Sequence, residues 1–291
     1  MRFCTYQLGH RTAPGLIHDR FVIDLERAYL RTFKRPVRWR DLLDFLQDDG
    51  PSRLPELDLA ALTNDRTVAL PRHEARLRAP ILRPPKIVCV GLNYRAHAAE
   101  QNLETPKSPM LFAKAPNIVV GQGDDIRIPY GVSEQVDYEC ELAAVVGTPG
   151  YRIDRESALK HVFGYTIVND VTARDIQRGD KQWFRGKSFD TFCPMGPEIV
   201  TPDAFDPSRA PLSLKVNGEV RQNSNTADLI FDVAALIAHA SGAFPLEAGD
   251  VISTGTPSGV GMFMNPPRWL KKGDRIEATI EGIGTLYNPV V

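Results

Sequence analysis

"VDYECELAAVVG", residues 136–147, joins an apolar strand pattern to two acidic side chains near its start. The apolar part, 142–146, has the length of a buried strand. Glu139 and Glu141 are two positions apart, and residues two apart in a strand point to the same face. With a rise of ~3.3 Å per residue, the two positions are about 7 Å apart along the chain. The stretch therefore predicts a buried strand that carries paired negative charge on one face.

Eight short runs of strand-like composition follow residue 80, separated by Gly and Pro. They cover residues 86–91, 117–121, 125–129, 141–147, 164–170, 212–220, 250–255 and 274–284. Few helices interrupt them. The clearest covers 226–242, where Thr226 can cap the start and Gly242 the end. Strands and helices do not alternate regularly, so the predicted fold class is α+β and β-rich.

Residues 1–80 are predicted to form a small N-terminal α/β domain. Its first 25 residues suggest a hairpin, and the apolar residues of 37–50 have helical spacing that ends at Gly50. Three prolines within 78–86 indicate a linker. We therefore predict a domain boundary near residue 80, with the catalytic domain over 81–291.

The composition narrows the classes of partner. Lys and Arg number 35 and Asp and Glu 36, which gives a net charge of -1. This balance does not call for nucleic acid or a membrane surface. The four cysteines contain no C-x-x-C pair, and no apolar run approaches the ~20 residues that span a bilayer. The N-terminus lacks the pattern of a signal peptide, so a cytoplasmic protein is expected.

A third carboxylate, Asp170, closes the strand-like run 164–170. Together with Glu139 and Glu141 it could supply three oxygen ligands to a hard divalent cation such as Mg²⁺ or Mn²⁺. The structural alternative is that the two glutamates line an exposed strand face and Asp170 caps a helix. Spacing alone leaves both interpretations open.

The segment 169–179, "NDVTARDIQRG", predicts a strand end that turns into a helix. Arg174 and Gln177 would then share one helix face. A guanidinium matches a carboxylate in bidentate geometry, so the pair could hold an anionic, oxygen-rich ligand. Alternatively, Arg174 forms an ion pair of purely structural importance.

His97 and Glu100 follow the strand-like run 86–91 at helical i, i+3 spacing. A carboxylate beside an imidazole fixes its tautomer and makes it an effective general base near neutral pH. His–Glu pairs on exposed turns are also common, so this spacing by itself is weak evidence.

Lys187 lies between Gly186 and Ser188, and the loop 253–261, "STGTPSGVG", is rich in small residues. The hydroxyl of Thr256 and the backbone N–H groups of this loop could cradle a carboxylate. Lys114 is a second candidate cation. Taken alone, each lysine is better explained as a solvated surface residue.

Five motifs in this order resemble the fumarylacetoacetate hydrolase superfamily, specifically its acylpyruvase-like and diene-dioate isomerase-like bacterial members. They are "VCVGLNYRAHAAE", "VDYECELAAVVG", "YTIVNDVTARDIQ", "GKSFDTFCPMGP" and "STGTPSGVG". The resemblance covers about residues 80–291. It implies a mixed β-roll, barrel-like core and a homodimer.

The resemblance also implies roles for the candidate residues. Glu139, Glu141 and Asp170 would hold Mg²⁺ or Mn²⁺. The remaining roles are catalysis by His97, Glu100 and Lys187, and substrate binding by Arg174, Gln177, Thr256 and Lys114. The expected substrate is a small 2-oxo acid.

The first expectation is hydrolysis of a C–C bond in acylpyruvate-like 2,4-dioxo acids, with the dyad activating water and Lys187 stabilising a pyruvate-type enolate. The alternative is a decarboxylase or isomerase of oxaloacetate-like 2-oxo diacids that uses the same enolate. A binding protein that has lost this chemistry is a third hypothesis, disfavoured by the complete set of site residues.

Overall fold

The computed structural model describes residues 1–48 and 50–291, and short strands dominate it. The strands are β1 Arg2–Leu8, β2 Arg11–His18, β3 Phe21–Asp24, β4 Ala69–Pro71, β5 Arg76–Leu77, β6 Ile87–Gly91, β7 Met110–Lys114, β8 Val119–Val120, β9 Val136–Asp137, β10 Cys140–Val146, β11 Val162–Asn169, β12 Thr172–Ala173, β13 Cys193–Val200, β14 Pro211–Val216, β15 Glu219–Asn225, β16 Val251–Ser253, β17 Arg275–Ile280 and β18 Gly284–Pro289. The predicted β-rich α+β fold class is confirmed.

The helices of the described residues are short. They are α1 Leu25–Phe33, α2 Leu42–Gln47, α3 Leu59–Thr63, α4 Arg95–Glu100, α5 Arg174–Asp180, α6 Trp183–Lys187 and α7 Val233–Ala243. Six isolated turns of 3-10 helix lie between these elements. No helix in the described part of the chain is long and apolar enough to cross a membrane.

The predicted helix over 226–242 begins later than expected. Thr226 belongs to a separate 3-10 turn, and Asp232 is the residue that caps α7, since its carboxylate accepts a hydrogen bond from Ala235 N at 2.8 Å. The buried Asn93 holds the intervening chain outside the helix through its side chain, which accepts from Phe231 N at 2.9 Å. The expected cap at Thr226 is therefore wrong.

The largest sheet runs through both halves of the chain. Its order is β4-β3-β2-β1-β13-β11-β10-β16-β6-β7, with β5 beside β1 and β8 beside β13. The predicted N-terminal hairpin is present as β1–β2–β3, and β1 continues the sheet by pairing with β13. A four-stranded sheet, β15-β14-β17-β18, and the β12–β9 pair complete the architecture. The domain division near residue 80 and the homodimer stay predictions.

Seven of the eight predicted strand-like runs contain strand. The run 125–129 forms only a single bridge, between Ile126 and Val290. Among the strands of five or more residues after residue 80, the sequence pattern misses β7 and β13 and covers only two residues of β15 and one of β18. In β13 the cause is Pro194 and Pro197, because proline lacks the N–H that a central strand donates. The structure accommodates these prolines with a shift in register between β11 and β13.

Candidate metal centre and active site

Two neighbouring antiparallel strands bring the three carboxylates together. Cys140 at the start of β10 pairs with Asn169 at the end of β11. Asp170 N donates to Glu139 O at 2.9 Å, which extends this ladder by one residue. Directly opposed residues of an antiparallel pair share a face, so Asp170 lies beside Glu139. Glu141 joins them because it is two residues further along β10.

The triad of Glu139, Glu141 and Asp170 has the chemistry of a divalent-metal site. One oxygen of each lies within 4.8 Å of the others, and the three residues are 5%, 1% and 0% exposed. Three carboxylate oxygens that converge from neighbouring strands could hold one small divalent cation, with its remaining positions left to water or substrate. Hard oxygen donors suit Mg²⁺ or Mn²⁺. The triad can therefore hold a divalent cation.

Two buried lysines contact these carboxylates. Lys187 Nζ lies 2.6 Å from Glu139 Oε2 and 2.7 Å from Asp170 Oδ2. Lys114 Nζ lies 2.5 Å from Asp170 Oδ1 and 3.1 Å from Val171 O. Each lysine is only 2% exposed, so the expectation of solvated lysines is wrong. Their burial is possible because neighbouring carboxylates compensate the charge.

Arg174, the first residue of α5, joins the triad to a fourth buried carboxylate. Its Nη2 donates to Glu139 Oε1 at 2.6 Å and its Nε to Asp137 Oδ2 at 2.9 Å. Its Nη1 donates to Gln177 Oε1 at 3.2 Å, so the predicted i, i+3 pair is present. Arg174 thus contacts a triad carboxylate while Gln177 lies one helical turn away.

The loop 253–261 directs backbone N–H groups at carboxylates of the protein itself. The hydrogen bonds are Gly255 N to Glu141 Oε2 at 3.0 Å, Gly259 N to Glu100 Oε1 at 2.9 Å and Gly261 N to Asp137 Oδ1 at 2.8 Å. Gly255 has a φ of 93°, and a Cβ there would lie 2.9 Å from Val90 O, so glycine is required. These three N–H groups therefore already have acceptors within the protein, and they do not form the predicted cradle for a substrate carboxylate.

The pKa values of the two glutamates of the triad are shifted in opposite directions. Burial favours the protonated form of Glu139, but the positive charges of Lys187 and Arg174 outweigh burial and lower its pKa to about 2. Burial raises the pKa of Glu141 well above its ordinary value, and the negative charges of Asp170 and Glu139 raise it further. Before a cation binds, Glu141 therefore holds its proton to higher pH than Glu139 does.

Binding of a divalent cation should release up to one proton at a pH below the raised pKa of Glu141, because the ligand form of Glu141 is the carboxylate. Affinity is expected to rise with pH by up to ~10-fold per unit, until the raised pKa of Glu141 is passed. Titration calorimetry with Mn²⁺ in two buffers of different ionisation enthalpy measures the released protons. Release of no proton, together with an affinity that does not change with pH above the ordinary pKa of a glutamate, would contradict the raised pKa of Glu141.

His97 and Glu100 form the predicted pair on α4. His97 Nδ1 lies 3.0 Å from Glu100 Oε2, and His97 is 6% exposed. Its Nε2 lies 2.9 Å from the amide nitrogen of Gln101. Nδ1 facing the carboxylate leaves Nε2 as the acceptor nitrogen. The pair is therefore oriented for proton transfer at Nε2 once the Gln101 side chain moves away from this nitrogen.

A cavity of about 280 Å³ opens beside the triad. The predicted site residues that line it are His97, Glu139, Glu141, Arg174, Gln177, Lys187 and Thr256. Thr256 presents a hydroxyl that already donates to Cys140 O at 3.1 Å and accepts from Gln222 Nε2 at 2.8 Å. Lys114 is not among the lining residues, so its position favours orienting Asp170 over the predicted contact with substrate.

Several site residues were not identified from the sequence. They are Asp137, Gln101, Arg178, Lys181 and Ser253. Asp137 had a usable signal, since it precedes Glu139 by two positions and so continues the strand periodicity of the acidic residues. Ser253 had none, because its 2.5 Å hydrogen bond to Glu141 Oε2 joins strands that are distant in sequence.

Comparison with known proteins identifies the chain's relatives. Residues 86–291 match the family model described as fumarylacetoacetate (FAA) hydrolase C-terminal. The chain is 43% identical to oxaloacetate tautomerase YisK of Bacillus subtilis (strain 168) over 300 residues, which cover 100% of both proteins. It is 42% identical to the mitochondrial oxaloacetate tautomerase FAHD2A of Bos taurus over 298 residues, covering 100% of this chain and 92% of that protein.

Solved structures give the same relationship. The fumarylacetoacetate hydrolase of the psychrophile Exiguobacterium antarcticum is 41% identical and superposes with a TM-score of 0.86. The match covers 100% of this chain and 99% of that structure.

Proposed function

The chain belongs to the fumarylacetoacetate hydrolase family, and we propose that it is a divalent-metal-dependent tautomerase of oxaloacetate-like 2-oxo diacids. Mg²⁺ or Mn²⁺ is the proposed metal. The observation that carries the proposal is 43% identity along the whole chain to a protein named oxaloacetate tautomerase. C–C hydrolysis is the first expectation from the sequence and this class of reaction is the alternative; the names of the relatives support the alternative.

The chemistry of the buried site agrees with this proposal. A divalent cation held by the triad would act as a Lewis acid on the 2-oxo group of the substrate. Burial disfavours the charged form of Lys187, but Asp170 and Glu139 outweigh burial and raise the pKa of this lysine. Lys187 therefore keeps its positive charge and can stabilise the negative charge of an enolate. Arg174 and Gln177 are the proposed substrate-orienting residues.

Tautomerisation moves one proton from the enol oxygen to the neighbouring carbon, with no atom gained or lost. His97 is the proposed carrier of this proton, at Nε2, and Glu100 fixes its tautomer through Nδ1. Loss of CO₂ from the keto form is a related outcome, because the electron pair of the broken C–C bond leaves a pyruvate enolate whose negative charge also develops beside Lys187.

Hydrolysis of acylpyruvate-like 2,4-dioxo acids is the second candidate. The His97–Glu100 contact of 3.0 Å favours it, since a general base of this kind could also activate a water molecule. The two candidates share the metal and Lys187 and differ in the bond that is broken.

The test follows the enol form of oxaloacetate by its ultraviolet absorbance in the presence of Mg²⁺ or Mn²⁺. We expect decay of the enol well above the uncatalysed rate, loss of this activity with chelator, and its return with either metal. Replacing His97 with Gln should slow the catalysed decay ~100-fold. Release of CO₂ and cleavage of a panel of acylpyruvates are measured in parallel.

Three results would change the assignment. Full activity in chelator would remove the metal from the mechanism. Acylpyruvate cleavage without tautomerisation would make the protein a hydrolase, and no turnover of any substrate would favour a binding protein.

A further inference from the structure

Two cations at the rim of the cavity have no role in the chemistry derived above. Arg178 lies on α5, and Lys181 is its C-cap, with a left-handed φ of 61°. Both side chains line the cavity and both residues are exposed. Arg178 donates to the amide oxygen of Gln135, and neither cation forms an ion pair with a carboxylate among the described residues.

At the floor of the cavity, in contrast to the rim, the buried cations form ion pairs with carboxylates. The buried charged groups of this floor and of the layer directly behind it are the carboxylates of Asp137, Glu139, Glu141 and Asp170 and the cations Lys114, Arg174 and Lys187. With a divalent cation bound and all four carboxylates ionised, four negative charges face five positive ones, which leaves one positive charge. The single carboxylate of a 2-oxo acid head group balances that charge. A second carboxylate on the substrate needs another cation.

Helix α5 supplies that cation at the right distance. Arg174, Gln177 and Arg178 are at positions i, i+3 and i+4, so they share one helix face, and Lys181 follows one turn later. At 1.5 Å per residue, Arg178 lies ~6 Å and Lys181 ~10 Å along the axis from Arg174. The terminal carbons of a four-carbon diacid are three C–C bonds of ~1.5 Å apart, ~4 Å when extended. Its two carboxylates can therefore reach the floor and the rim together.

The remaining lining directs the second carboxylate toward the same side. Beyond the site residues already described, the cavity is lined by uncharged residues, which offer a carboxylate no positive charge: Val90, Gly91, Leu92, Gln101, Phe112, Trp183, Met262 and Phe263. Asp180, an acidic residue near Lys181, is engaged with Arg185 at 2.5 Å. Arg178 and Lys181 thus remain available to an anion.

We propose that Arg178 and Lys181 bind the distal carboxylate of a four-carbon 2-oxo dicarboxylate and so select diacids over monoacids. The proposal rests on the proposed function for the class of head group. A charge-assisted hydrogen bond to a carboxylate corresponds to a preference of ~10–100-fold.

Binding of a matched ligand pair tests the proposal without turnover. Malate and 2-hydroxybutanoate carry the same head group on four carbons and differ only in a distal carboxylate or methyl. Titration calorimetry on the Mn²⁺-loaded protein should give malate ~10–100-fold tighter binding. In the double variant R178Q/K181Q this preference should disappear, while oxalate, which represents the head group alone, binds as before. The double variant K160Q/K215Q, at two exposed lysines outside the cavity, is the charge-matched control.

Two results would overturn the proposal. One is an unchanged malate preference in the double variant. The other is an equal loss of affinity for malate, 2-hydroxybutanoate and oxalate, which would indicate general attraction of anions. Failure of the proposed function is distinguishable, since it would appear as no enol turnover while the malate preference of the unaltered protein persists.

Discussion

Replacing Glu141 with Gln should weaken Mn²⁺ binding ~100-fold or more and lower turnover ~1000-fold. The substitution preserves shape, and the amide oxygen can still accept from Ser253 Oγ and Gly255 N. It removes one negative charge from a buried cluster that needs three carboxylates to hold a divalent cation. Calorimetry measures the affinity, and enol decay at saturating metal measures turnover.

The matched control is Glu281→Gln, which makes the same change at an exposed carboxylate outside the cavity. It should leave both quantities unchanged. Unaltered Mn²⁺ affinity in Glu141→Gln would count against the triad as the metal site, and thermal unfolding separates that result from a folding defect. The variant should also release fewer protons on binding, because the group that retains a proton has gone.

Replacing Lys187 with Met should lower turnover ~1000-fold without weakening metal binding. Methionine approximates the length of the buried side chain and lacks the charge that stabilises an enolate. The Lys187 ammonium lies between Glu139 and Asp170, where its positive charge opposes entry of a second cation. Its removal is therefore expected to leave Mn²⁺ affinity equal or higher.

Lost turnover with unweakened Mn²⁺ binding would distinguish the role of Lys187 from that of the three metal ligands. Loss of turnover together with weakened Mn²⁺ binding would mean that Lys187 mainly holds the carboxylates in place. Retained turnover would remove it from the reaction. Calorimetric titration of the metal-free variant measures the Mn²⁺ affinity. Turnover is measured at saturating metal, so that the divalent charge replaces the lost ammonium and supports the fold.

The sequence predicted the carboxylate cluster because strand periodicity is local information. Glu139 and Glu141 share a face through their spacing alone, and Asp170 marks the end of a recognisable strand. The sequence could not give the register that opposes Glu139 to Asp170, since β10 and β11 are joined by a long connection. The ordered family motifs supplied what the spacing lacked.

Other features were hidden because they depend on tertiary packing. The burial of Lys187 and Lys114 follows from carboxylates on distant segments, whereas an isolated lysine has the composition of a surface residue. The strand β13 was missed because its prolines contradict strand propensity, and only its neighbours β1 and β11 reveal it. Arg178 and Lys181, at the cavity rim, belong to none of the five family motifs.

The loop 253–261 ties three otherwise separate carboxylates to one short piece of backbone. Glu141 belongs to the triad, Glu100 to the dyad, and Asp137 to the anchor of Arg174. A displacement of this loop by a fraction of an ångström would misalign all three at once. Substitutions that move its backbone should therefore be strongly non-additive with changes at each carboxylate, and the site would be inherited, or lost, as one unit.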